Sequence, residues 1–391
     1  MQCLGSNSSW ADDKVPMPLN EGQFQAIHDL FNFSWFKRLW VRQEIGLANE
    51  EAIIMCGNDV IDWWRFGNAI FCICWKPRNY SKAGELTSRL LFLYDLVRDR
   101  FRLGGIGYAE LLRNQAKLKC ADPRDRVFAV LSMCREDEMG GNIKVDYSKT
   151  VEQVYRDFTL KQIMHMHSLE ILSSCALNSE GGLGQLPSWV PDWRRPVLPK
   201  RLHGHHACGN SQANVKYDGE RTLSVTGVKV ASVSQMEAIS QFRASDGSFT
   251  NKTIVNCIER CVRFWDNSKE RTASQGYNGL APIETKVKDL ICVLLGCQTL
   301  MVLRPTEDGT FALVGECYCD GIMDGAPLLG APPNGFEFAW NNEGSGEPVA
   351  AYIDRQSGMV HIEDPRLVGT ALLPSSHIEP PGNKETNLVS I

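Results

Sequence analysis

Residues 222–233 read TLSVTGVKVASV. Leu223, Val225, Val228 and Val230 are spaced as a strand would space them, on either side of Gly227. A period near two built from β-branched residues marks a strand, and a glycine inside it marks a bend or a close backbone approach. This stretch divides the chain. After it, Ile291–Leu295, Leu300–Leu303 and Phe311–Cys319 are apolar runs of strand length. Pro305–Thr310 supplies a hairpin loop with its turn chemistry in Asp308 and Gly309. Ala350–Asp354 and Met359–Ile362 read as a second hairpin about Ser357 and Gly358. Ile254–Trp265 is the exception, because its spacing predicts a helix.

Before that stretch the periodicity is mostly helical. Phe24, Ile27, Leu30 and Phe31 predict a helix over Glu21–Phe33. Trp35, Phe36, Leu39, Trp40, Gln43 and Leu47 predict a second, heavily aromatic helix within residues 33–50. Ala52–Met55 reads as a short strand ended by a turn at Cys56, Gly57 and Asn58. Asp62 suits the N-cap of a helix carrying Trp63, Trp64, Phe66, Ile70 and Phe71. Further helices are expected over Leu86–Val97, Tyr108–Leu118, Asp122–Met133 (Asp122 as N-cap, Pro123 at its first position) and Val151–Ile163. The fold class is therefore α+β: a helix-rich first half packed with a small antiparallel sheet or barrel in the second half. The expected divisions are a flexible arm (1–20), a helical region (21–180), a β-rich region (181–370) and a polar, proline-rich, mobile tail (371–391).

Composition narrows the function classes. Of 391 residues, 43% are apolar and 22% charged, which fits a globular protein and excludes a disordered or fibrous chain. The net charge of −5 gives no reason to expect a nucleic-acid partner. No apolar run approaches the ~18 residues of a membrane span, and no apolar secretory core is visible near the start. The 14 cysteines are scattered with no Cys-x-x-Cys pair, so reduced thiols in a cytoplasmic protein are expected. His203, His205, His206 and Cys208 match no zinc-ligand spacing and read as a histidine-rich loop; no metal and no cofactor is expected.

Four segments then carry a family resemblance. They are Trp35-Phe-Lys-Arg-Leu-Trp-Val-Arg-Gln-Glu with Cys56 and Gly57 after it, Asp122-Pro-Arg-Asp-Arg-Val-Phe-Ala-Val-Leu, Leu186-Pro-Ser-Trp-Val-Pro-Asp-Trp, and Leu313-Val-Gly-Glu-Cys-Tyr-Cys-Asp-Gly-Ile-Met-Asp-Gly. In this order they resemble the fungal heterokaryon-incompatibility (HET) domain proteins, over about residues 30 to 330. The family's opening tyrosine–tryptophan–glycine block and its isoleucine–aspartate–alanine–isoleucine–cysteine strand have no counterpart here. The chain is therefore expected to start inside the domain, with residues 21–180 a truncated helical HET-like region. Two smaller departures are Lys286-Val-Lys-Asp in place of proline–glycine–aspartate, and Ala326 in place of an acidic residue.

The resemblance implies nonself recognition in a filamentous fungus, through an unknown protein partner. A second reading is a cofactor-independent enzyme of specialised metabolism, enclosing an apolar terpenoid or polyketide metabolite for cyclisation or cycloaddition. Trp35, Trp40, Trp63, Trp64, Trp189 and Trp193 are its candidate pocket residues; for the first four, aromatics at helical spacing are also what a core requires, and Trp189 and Trp193, locked by Pro187 and Pro191, could instead seal the domain junction. A third reading follows from the family's distant similarity to TIR domains, some of which hydrolyse NAD. Glu44, four residues after Trp40, would be the catalytic carboxylate; a partly buried carboxylate paired with Arg38, Arg42 or a helix cap is the simpler role.

Overall fold

The computed structural model describes residues 4, 6, 7, 10, 12, 14, 15, 18–49, 51–74, 107–131, 133, 143–177, 186–195, 205–209, 211–238, 260–266, 277–319, 321–341, 349–366 and 387–391. The expected helix at Leu86–Val97, His203 and Cys257 lie outside the described residues. The chain forms two compact units, residues 1–151 with 193–197, and residues 152–192 with 198–391. Helices dominate the described part of the first half and antiparallel strands the second, as an α+β reading requires.

The first unit opens with α1 (Glu21–Phe31). Asn20 accepts from the Gln23 amide at 2.9 Å and Gln23 answers to the Asn20 amide at 2.9 Å, so a capping box satisfies the first donors. The single helix expected within residues 33–50 is broken. Ser34–Lys37 is a 3-10 turn, Arg38 is extended, and α2 (Val41–Gly46) is short. The cause is tertiary: the Leu39 amide donates to Lys119 O at 2.9 Å and the Lys119 amide to Lys37 O at 2.6 Å. Backbone groups that a continuous helix would use are spent on a distant segment. A hairpin, β1 (Ile53–Cys56) and β2 (Asp59–Asp62), follows with Gly57 at φ 62° in its turn. Asp62 then caps α3 (Trp63–Cys74), accepting from the Arg65 amide at 2.8 Å. The core between these elements is aromatic: Phe36 and Phe66 stack at 12° and Phe31 meets Phe36 edge-on at 5.6 Å. α4 (Tyr108–Asn114) and α5 (Asp125–Phe128) complete the unit; α5 is much shorter than the helix expected over Asp122–Met133. Asp122 does not cap it. Its carboxylate instead takes the Arg124 amide at 2.9 Å, two residues on, in an Asx turn.

The second unit begins with α6 (Val151–Met166) and a 3-10 turn at Glu170–Ser174. Its strands are β3 (Val215–Tyr217), β4 (Leu223–Ala238), β5 (Arg260–Asp266), β6 (Tyr277–Ala281), β7 (Leu290–Leu294), β8 (Leu300–Pro305) and β9 (Phe311–Cys319). After α7 (Ala326–Leu329), β10 (Phe336–Asn341), β11 (Val349–Asp354) and β12 (Val360–His361) form a separate three-stranded sheet. With β13 (Asn387–Ser390), the large sheet runs β13-β4-β5-β6-β9-β8-β7, and β7 also pairs with β4, so the ladder returns to its longest strand. Sixteen-residue β4 makes this possible. Its start pairs with β3 and with β13, its middle with β7 and its end with β5, with bulges at each of the last two handovers. Gly227 sits where the partner changes, opposite both Asn387 and Leu294. A Cβ there would lie 2.7 Å from Val293 O, so only glycine permits the approach.

Two expectations are corrected here. Residues 260–266 are strand, not helix; the apolar spacing of Ile254–Trp265 fits either period, and the free edge of β4 decides. The chain end is not wholly a mobile tail, because Val389 and Ile391 are buried and Ile391 exchanges both backbone bonds with Leu223. Leu300, Met301, Val302 and Leu303 are all fully buried, so both faces of β8 are covered, which is why its sequence is a continuous apolar run.

Candidate functional site

The described residues of the first unit form a groove of about 920 Å³. Its lining includes Leu30 of α1, Phe33, Trp35 and Phe36, and Ile53 to Cys56 of β1. Trp63 and Phe66 belong to its lining, and so does Glu44. It is an open groove: Phe33 is 54% exposed, Ile53 57% and Met55 65%. Three of the seven sequence-predicted site residues, Trp35, Trp63 and Glu44, thus come together. Glu44 is an exposed carboxylate, 3.3 Å from the Arg38 guanidinium.

The other four lie elsewhere. Trp40 donates its indole N–H to Asp125 Oδ2 at 3.2 Å. Trp64 is 58% exposed and outside the groove. Trp189, in the second unit, is fully buried, with its N–H on Arg221 O at 2.7 Å. Trp193 is buried as well. The sequence reading missed the hairpin wall, above all Met55 and Val60. The signal was present: Cys56-Gly57-Asn58-Asp59 is turn chemistry between two short β-prone runs.

The charged segment at residues 122–126 acts as a clasp. Arg124 grips the Asp122 carboxylate through Nε and Nη2, and its Nη1 donates to Tyr147 O at 2.6 Å and Lys149 O at 2.8 Å. Arg124 holds the Asp122 carboxyl below its usual range. Buried Asp125 accepts from Tyr147 Oη at 2.7 Å as well as from Trp40. Desolvation and that bond push the Tyr147 phenol up to about 12.

In the second unit, Arg366 and Asp364 form a buried bidentate pair with the closest contact at 2.7 Å. Tyr352 Oη donates to Asp364 at 2.7 Å, and Arg366 also donates to Asp324 O and Gly330 O, the backbone flanking α7. His206 is buried beside this cluster and stacks on Phe338 at 6.3 Å. Burial lowers its pKa, opposed by Asp364 and assisted by Arg366. A lowered folded pKa means that the unfolded chain takes the proton first. Stability from His206 is therefore complete above about pH 6.5, the ordinary histidine value, and falls as pH drops below it. Melting temperatures are expected to decline between about pH 7 and pH 5 and to decline less in His206→Gln. An equal slope in both proteins would remove His206 as the cause.

The remaining chemistry is quiet. Cys72, Cys175, Cys208, Cys292, Cys297, Cys317 and Cys319 are buried and not in disulfides. Burial pushes Cys208, Cys292 and Cys297 up to about 12, so they behave as small hydrophobes and not as nucleophiles. Among the described residues no three His, Cys, Asp or Glu converge on a metal position, and no helix is long and apolar enough to cross a membrane.

Comparison with known proteins bears on the second unit. Residues 269–331, which include β6 to β9 and α7, match the Het-6 beta-barrel domain. Heterokaryon incompatibility protein 6, OR allele, of Neurospora crassa is 36% identical over 67 residues, a stretch covering 16% of this chain and 10% of that protein. No solved structure matches. The resemblance carried by the sequence motifs is thus borne out over a limited segment: residues 269–331 are similar to the Het-6 beta-barrel domain, and a 67-residue stretch is similar to a heterokaryon-incompatibility protein of which it covers 10%.

Proposed function

We propose that this chain acts in heterokaryon-incompatibility-type nonself recognition in the cytoplasm of a filamentous fungus, as a module that works by protein contact. The match of residues 269–331 to the Het-6 beta-barrel domain carries the first part of the reading. The open apolar groove supports the second. An enzyme that wraps an apolar metabolite needs a cavity that closes over most of the ligand. Here Ile53, Met55 and Phe33 stand more than half exposed at the rim, and the tryptophans expected to enclose a substrate are dispersed. Glu44, the residue an NAD-hydrolase reading would require, is exposed and ion-paired. Exposed apolar side chains grouped at a rim are the usual mark of a protein-contact surface.

The test is an incompatibility assay. The chain is expressed in a fungal strain, which is fused with a panel of tester strains, and the viability of the fused compartments is scored. Death or growth arrest with at least one tester is expected, with Met55→Asp relieving it. Viable fusions with every tester, at confirmed expression, would overturn the reading. Met55 is largely exposed, so this variant leaves the core intact.

A further inference from the structure

We propose that the groove of the first unit binds an extended, apolar segment of a partner protein that carries lysine or arginine, laid along the free edge of β1. This deepens the protein-contact reading and rests on it. Three observations converge.

The first is charge. Among the described residues that line the groove, Glu44 and Asp59 are the charged ones, with no lysine or arginine in the lining itself; Arg38 pairs with Glu44 at 3.3 Å from outside it, and so exposed a pair is weak enough for an incoming cation to replace. An apolar groove with carboxylates in its walls complements a segment in which apolar and basic side chains alternate.

The second is the backbone. Among the described residues β1 pairs with β2 alone. The Trp63 amide donates to Ala52 O at 2.8 Å, and the register sets Ile53 opposite Asp62, Ile54 opposite Ile61 and Met55 opposite Val60. Bonded and non-bonded pairs alternate in an antiparallel ladder. Ile54 and Cys56 therefore bond to β2, and the N–H and C=O groups of Ile53 and Met55 point away from it. An extended chain satisfies such groups by adding a strand.

The third is the alternation of side chains on β1. Ile54 packs against the core, whereas Ile53 and Met55 stand 57% and 65% exposed. An added strand would cover the exposed pair while its backbone bonds to the same two residues. Both features required of such a site therefore occur on one four-residue strand.

The probes are capped octapeptides of alternating valine and lysine, of valine and glutamate, and the lysine peptide N-methylated at its four central residues. Binding to the full chain is read by tryptophan fluorescence and calorimetry. The lysine peptide is expected to bind about tenfold more tightly than the glutamate peptide, and Glu44→Gln with Asp59→Asn to reduce that preference to about twofold. N-methylation, which removes the strand-forming donors, is expected to weaken binding about tenfold. Met55→Asp should abolish it. Equal binding of the lysine and glutamate peptides overturns the charge assignment, and equal binding of the N-methylated peptide overturns strand addition. Binding of dodecylamine with none of the peptides would assign the groove to a small amphiphile and overturn the proposal. A chain that kills fused compartments but binds no peptide overturns this proposal alone; one that binds the lysine peptide but never kills overturns the functional reading alone.

Discussion

Arg366→Ala is expected to destabilise the second unit by about 3–5 kcal/mol, because it strands a buried carboxylate. Asp364 is fully buried in its side chain and Arg366 is 4% exposed, so water cannot take over from the lost partner. The same substitution strips donors from Asp324 O and Gly330 O on either side of α7, and from Tyr352 Oη. At about 2–4 °C per kcal/mol for a domain of this size, the melting temperature should fall by roughly 10 °C or more. Asp364→Asn in the same chain removes the stranded charge, and Tyr352 can still donate to the amide oxygen. The double variant should therefore melt well above Arg366→Ala alone, a recovery that additive losses would not give. Thermal unfolding followed by circular dichroism checks both. If Arg366→Ala melted within a degree or two of the parent, the pair would not be holding the loop to α7.

The cluster was not legible in the sequence, and the reason is physical. Asp364 and Arg366 are two residues apart, but the groups they unite, Tyr352 and the backbone at Asp324 and Gly330, come from other parts of the chain. Local patterns were read well where a segment decides its own state. β7, β8 and β9 are apolar runs that can bury both faces, and the spacing of Phe24, Ile27, Leu30 and Phe31 marks α1. Reading failed where a distant partner decides. Lys119 breaks the aromatic helix at Arg38, and β4 turns residues 260–266 into strand. The same division runs through the candidate site. Trp35, Trp63 and Glu44 were visible as residues of the right type, yet Trp40 carries the same aromatic signal and serves Asp125 instead. What separates them is an acceptor 85 positions away, which periodicity does not contain.

Trp189→Ala tests whether the proline-bracketed segment, which the sequence offered as a pocket wall or a seal at the domain junction, is instead a packed core anchor. The structure favours core. Trp189 is fully buried, its ring meets Tyr217 at 5.8 Å and 72°, and its N–H donates to Arg221 O, just before β4 begins. Ser188 beside it accepts the Leu313 amide at 2.9 Å, which fastens the segment to β9. Removing the indole should cost about 3–5 kcal/mol, from lost transfer energy, the cavity left behind and an orphaned carbonyl. That corresponds to a fall of roughly 10 °C in melting temperature. Trp189→Phe keeps most of the volume but not the donor, and should lose about 1–2 kcal/mol. The graded order, parent above phenylalanine above alanine, is what a packed anchor predicts. A residue lining a ligand site would instead leave the melting temperature nearly unchanged in both variants. The Val/Lys peptide supplies the control: Trp189→Phe should bind it as the parent does, because the groove is built from residues 26–66 of the first unit.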